Sequence, residues 1–77
     1  MGENLIVCDP EILNGKPIIK GTRISVALIL QCLASGMTKE DIFRGYPTLT
    51  QDGFDAALDF AARQFQGEEV RAFEVRQ

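Results

Sequence analysis

Apolar and polar positions follow two different periods along this chain, and the change comes near residue 25. Leu5-Ile6-Val7-Cys8 is a continuous apolar run rich in β-branched residues, which predicts a short strand. Asp9-Pro10 closes it, because proline lacks an N–H and restricts the residue before it. Asn14-Gly15 predicts a reversal, since both residues tolerate positive φ. Pro17-Ile18-Ile19-Lys20 is a second extended run, and Gly21 permits the next change of direction. The two runs pair as a minimal hairpin, which needs something to pack on.

From Ser25, a predicted N-cap, the spacing becomes helical: Val26, Ile29, Leu30 and Leu33 recur on one side, and Gly36 supplies the stop. Leu28 and Cys32 lie on a second side, so this helix is apolar over most of its circumference. Thr38 with Asp41 forms a capping box in which Asp replaces the usual Glu or Gln. The short helix it opens carries Ile42 and Phe43 and closes at Gly45. Pro47 forces Tyr46 out of helical geometry. Thr50 caps a third helix over residues 51–66, with Phe54, Ala57, Leu58, Ala61 and Phe65 on one stripe.

The predicted fold is mainly α: a small three-helix, helix-turn-helix-like (homeodomain-like) domain with a short N-terminal β-hairpin. Residues 1–66 form the single domain, with the hairpin in 5–24 and the helical bundle in 25–66, and residues 67–77 form a tail. A domain this small has little material to cover a helix that is apolar all round. The expectation is therefore a homodimer whose interface uses Leu28, Ile29 and Cys32. In the tail, Val70, Phe73 and Val75 are interleaved with Arg71 and Arg76, a pattern suited to a partner's sheet edge or groove.

Composition narrows the chemistry. Apolar residues are 45% and charged residues 25% of the chain, ordinary values for a globular domain. The longest charge-free stretch, Ile24 to Thr38, falls short of a membrane span, and no basic-then-apolar leader opens the sequence. The expected location is the cytoplasm, with Cys8 and Cys32 as reduced, buried thiols. There is no histidine, which removes the familiar nucleophilic triads and the usual zinc sites, and no cofactor motif is present. The carboxylate pairs Glu40-Asp41 and Glu68-Glu69 diverge on a helix and do not share a site. The chain reads as a binding protein and not as an enzyme.

Net charge is −3, opposite in sign to that of a dedicated nucleic-acid binder. The predicted recognition helix carries Asp52, Asp55 and Asp59 on its outward face, where they repel phosphate. The candidate nucleic-acid residues are instead Lys16, Lys20, Thr22 and Arg23, around two glycines whose backbone N–H groups can cradle phosphate.

Within Asp9–Val26, the segment Gly15-Lys16-Pro17-Ile18-Ile19-Lys20-Gly21-Thr22-Arg23-Ile24 resembles the signature of the domain-of-unknown-function family 433. The likeness continues in order through Gly36-Met37, Tyr46-Pro47 and Ala56-Ala57-Leu58-Asp59-Phe60-Ala61. It implies a compact helix-turn-helix-like fold in which Gly15, Pro17, Gly21, Thr22 and Arg23 carry the family pattern. It further implies an antitoxin of a type II toxin–antitoxin pair, whose tail blocks a partner resembling a PIN-domain ribonuclease and whose dimer binds operator DNA. The alternatives are a DNA-binding transcriptional regulator and a protein-interaction module with no DNA role. The acidic third helix departs from ordinary operator reading.

Overall fold

A computed structural model describes residues 4–64. Its elements are β1 (Ile6–Cys8), β2 (Pro17–Ile19), α1 (Val26–Ala34), α2 (Lys39–Gly45) and α3 (Gln51–Gln64). The strands pair antiparallel with Ile6 opposite Ile19, Val7 opposite Ile18 and Cys8 opposite Pro17. The architecture is therefore a small, mainly helical domain with an N-terminal two-stranded hairpin.

Each helix begins where a short polar side chain can take an orphan N–H. Ser25 Oγ accepts from the Leu28 N–H at 2.9 Å, and Thr50 Oγ1 from the Gly53 N–H at 3.0 Å. Thr38 and Asp41 complete a reciprocal capping box: the Asp41 N–H donates to Thr38 Oγ1, and the Thr38 N–H donates to Asp41 Oδ2, both at 3.1 Å. The chain reverses between β1 and β2 through Leu13, Asn14 and Gly15, which all have positive φ (50°, 58° and 82°).

The core gathers Ile6, Ile19 and Ile24 from the hairpin region with Val26, Ile29 and Cys32 of α1, Ile42 of α2, and Phe54 and Ala57 of α3. Gly53 lets α3 approach the sheet: a Cβ there would lie 3.0 Å from Ile19 Cγ2. Phe43 and Phe54 meet with ring centroids 5.5 Å apart, and Lys39 Nζ sits 5.7 Å from the Phe54 centroid. Ile18, 1% exposed, is buried on the opposite face of the hairpin from this cluster.

Two expectations change. The buried stripe of α1 is Val26, Ile29 and Cys32, whereas Leu30 is 39% exposed and shares the outer face with Ala27, Gln31 and Ala34. Cys8 is exposed, and only Cys32 is a buried thiol; both are free. Among the described residues no helix is long and apolar enough to cross a membrane, and no group of His, Cys, Asp or Glu could hold a metal ion.

Candidate functional site

The predicted basic cluster falls on the turn that joins β2 to α1. Gly21, with φ +81°, bends the chain. Thr22 then locks it: its N–H and its hydroxyl both donate to the Ile19 carbonyl, at 3.0 and 2.8 Å, and its Oγ1 accepts from the Ile24 N–H at 2.9 Å. A hydroxyl has one proton, and Thr22 gives it to Ile19, so none is left for a phosphate oxygen. Thr22 is therefore a turn clamp, with its hydroxyl proton committed to the Ile19 carbonyl. What the clamp presents is Arg23, exposed beside it.

Arg23 borders an open groove of about 620 Å³ whose wall includes Val7, Ile12 and Ile18, with Asp9 and Thr48 also on it. Asp9 is already held locally, accepting from the Glu11 N–H at 2.9 Å. A guanidinium and a carboxylate around an apolar floor suit a mixed-polarity peptide surface better than a phosphate row, because the carboxylate offsets part of the attraction for an anion. Lys16 and Lys20 are exposed at the two ends of β2 and outside the lining of this groove. The structure thus spreads the basic residues along β2, at roughly 3.3 Å per residue, instead of focusing them. Among the described residues, Lys16 and Arg23 enter no ion pair.

The helix-turn-helix pair is α2 and α3, joined by a tight turn in which the Leu49 N–H donates to the Tyr46 carbonyl at 2.9 Å. On α3, Asp52, Asp55 and Asp59 are all exposed. Gln51 Nε2 donates to Asp55 and Arg63 Nε to Asp59, both at 2.9 Å. This is a solvated, acidic helix surface.

The dimer residues expected from sequence divide differently. Ile29 is 1% and Cys32 8% exposed, so both are inside the protein's own core and unavailable to a second chain; Leu28 is half-buried. Sequence reasoning missed Ala27, Leu30, Gln31 and Ala34, the uncharged face that α1 does present. Their spacing in the chain carries that signal, but a helix without charges has no polar marker to orient it. Asp9, Ile12 and Thr48 were also missed, since only tertiary structure brings them to Arg23. The tail residues Val70, Arg71, Phe73, Val75 and Arg76 lie outside the described residues.

A hairpin packed on three helices, with the clamped Gly-Thr-Arg turn between them, defines a class of small helix-turn-helix-like domains. The sequence model of the DUF433 family, described as a protein of unknown function, matches residues 6–61, and the chain belongs to that family. Its fold is similar to a crystal structure of a DUF433 member protein from Anabaena variabilis ATCC 29413, with a TM-score of 0.74 at 27% identity, covering 97% of this chain and 71% of that one. No curated protein matches.

Proposed function

We propose that the chain is a non-enzymatic binding module of the antitoxin kind, whose domain self-associates and whose segment 67–77 engages a nuclease resembling the PIN-domain ribonucleases. The observation that carries the binding reading is the division of labour on the surface. The polar side chains of Thr22, Ser25, Thr38, Asp41 and Thr50 close turns and cap helices. Uncharged surface, led by Leu30 with Ala27, Gln31 and Ala34, is left exposed. Groups committed to the backbone are not poised for proton transfer, whereas exposed apolar surface gains about 25 cal/mol per Å² when a partner covers it.

The test is co-expression with the neighbouring reading frame. A stable complex is expected, and deletion of Val70–Gln77 is expected to abolish it. Failure to form a complex, or a complex indifferent to the deletion, overturns the reading.

The exposure of Lys16 and Arg23 favours operator binding as an added role of the same complex. A gel shift over a salt series is expected to weaken steeply as salt rises, and Arg23→Glu to weaken it further. If the complex leaves DNA unshifted at low salt, the chain is a protein-interaction module alone.

A further inference from the structure

In a two-fold contact residue i meets residue j and j meets i, and only residues on the axis meet themselves, so a patch of one sign of charge is disfavoured at the axis. An axis through Arg23 and Lys16 on the basic turn, or through Asp52 and Asp55 on α3, would set like charges together. The outer face of α1 and the outer edge of β1 are both uncharged. They make different demands. A helix satisfies its own backbone, but a strand edge presents N–H and C=O groups that only another extended chain or water can meet.

The edge is open on one side only. The Lys20 N–H donates to the Leu5 carbonyl at 2.7 Å, which turns the backbone groups of Leu5 and Val7 toward β2 and those of Ile6 and Cys8 away from it. The far side of β2 is closed, because the Ile19 N–H donates to the Ile24 carbonyl at 2.9 Å and Ile18 bridges to Ser25. On the outer side of β1, Asn4 Oδ1 accepts from the Ile6 N–H at 3.1 Å. No bond among the described residues meets the outward carbonyl of Ile6 or the outward groups of Cys8. Leu5-Ile6-Val7-Cys8 contains no lysine, proline or bulge, the usual guards of an exposed edge.

We propose that β1 pairs antiparallel with β1 of a second copy, about a two-fold axis at Val7, to make a continuous four-stranded sheet. The inference rests on the self-association in the reading above and names its surface. This register sets Ile6 against the second copy's Cys8, so each pair exchanges both of its N–H···O bonds, and the incoming carbonyl replaces Asn4. Within Leu5–Asp9 the one charge, on Asp9, falls opposite a leucine. The axis is perpendicular to the sheet and keeps both helical layers on one side. Beside the edge is an open groove of about 350 Å³ with a mixed lining: Ile6, Ala56 and Phe60 on one hand, Asn4, Asp59 and Arg63 on the other. The second copy lies against this groove, whose Asp59 and Arg63 already pair with each other, so strand pairing and groove form one interface.

The register makes Val7 face Val7 in a non-hydrogen-bonded pair, with Cα atoms about 4.5 Å apart, inside the range a disulfide spans. In the full chain, Val7→Cys combined with Cys8→Ser is expected to give an inter-chain disulfide on oxidation, and Leu30→Cys in the same background is not. A charge pair provides the second arm. Val7→Lys and Val7→Glu are each expected to weaken self-association at least about tenfold in sedimentation while keeping their circular dichroism, and mixing the two restores a heterodimer. Cross-linking through Leu30 but not Val7 overturns this interface and leaves self-association standing. A wild-type chain that stays monomeric at high concentration overturns both. Lys and Glu variants that stay apart on mixing, with a dimeric wild type, overturn the register.

Discussion

Among the described residues, Leu13 holds the least favourable backbone conformation. Its φ of +50° is a left-handed conformation that costs an L-residue with a Cβ about 1–2 kcal/mol, and its side chain is 40% exposed, so little packing compensates. The sequence made Asn14-Gly15 legible as a reversal because both tolerate positive φ. Leu13 gave no such sign, since it is drawn in by its neighbours: the Gly15 N–H bonds to the Ile12 carbonyl at 3.1 Å and the Lys16 N–H to the Leu13 carbonyl at 3.2 Å. Leu13→Asn is expected to raise stability by up to about 1 kcal/mol, read as a higher denaturant midpoint with an unchanged slope. Gly53 shows the opposite sensitivity. Its Cβ would press on Ile19 Cγ2 at 3.0 Å and on Thr50 Oγ1 at 3.3 Å. Gly53→Val is expected to cost about 2 kcal/mol or more in the same measurement.

At the level of elements, caps were more legible than faces. Ser25, Thr38 and Thr50 start the helices in the structure as their chemistry predicts, because an N-cap is decided by residues within one turn. Which side of α1 is buried was not legible, because no charge marks the outside; contacts with β2, α2 and α3 choose Val26, Ile29 and Cys32. The capping box of α2 carries a pH dependence. The Thr38 backbone N–H, then the Thr38 hydroxyl, then Arg44 hold Asp41 below the ordinary aspartate pKa. A depressed folded-state pKa contributes stability that is complete above about pH 4 and is lost as pH falls through the lowered value. Asp41→Asn is expected to flatten that acid limb in a series of thermal melts below about pH 4 and to leave its slope near neutrality unchanged.

For the whole molecule, the order of strands and helices was legible, and so was the small mainly helical class, because each element has its own period and punctuation. The groove at Arg23 and the open edge of β1 were not. The first joins Asp9, Arg23 and Thr48 from distant segments, and the second depends on which backbone groups β2 already uses. Tertiary economy also decides how the bundle fails. Ile42 is 0% exposed and is the one buried residue of α2. Ile42→Ala is expected to cost about 2–5 kcal/mol, a large share of a small domain's total stability, and to lower the melting temperature seen by circular dichroism.

The Thr22 clamp has a consequence for how this chain tolerates changes in length. Between Ile19 and Ile24 hydrogen bonds close the backbone into a ring: the Ile19 N–H donates to the Ile24 carbonyl, and the Thr22 N–H and hydroxyl both donate to the Ile19 carbonyl. An inserted residue there must break that ring and slip Ile18 away from Ser25, turning the strand's side chains to the wrong faces. At the exposed Pro47-Thr48 the same insertion gives up one turn hydrogen bond, from the Leu49 N–H to the Tyr46 carbonyl, and otherwise lengthens a surface loop, where doubling the length costs only about 0.6 kcal/mol. Natural length variation among relatives is expected to collect between α2 and α3 and to spare the span from β2 to α1.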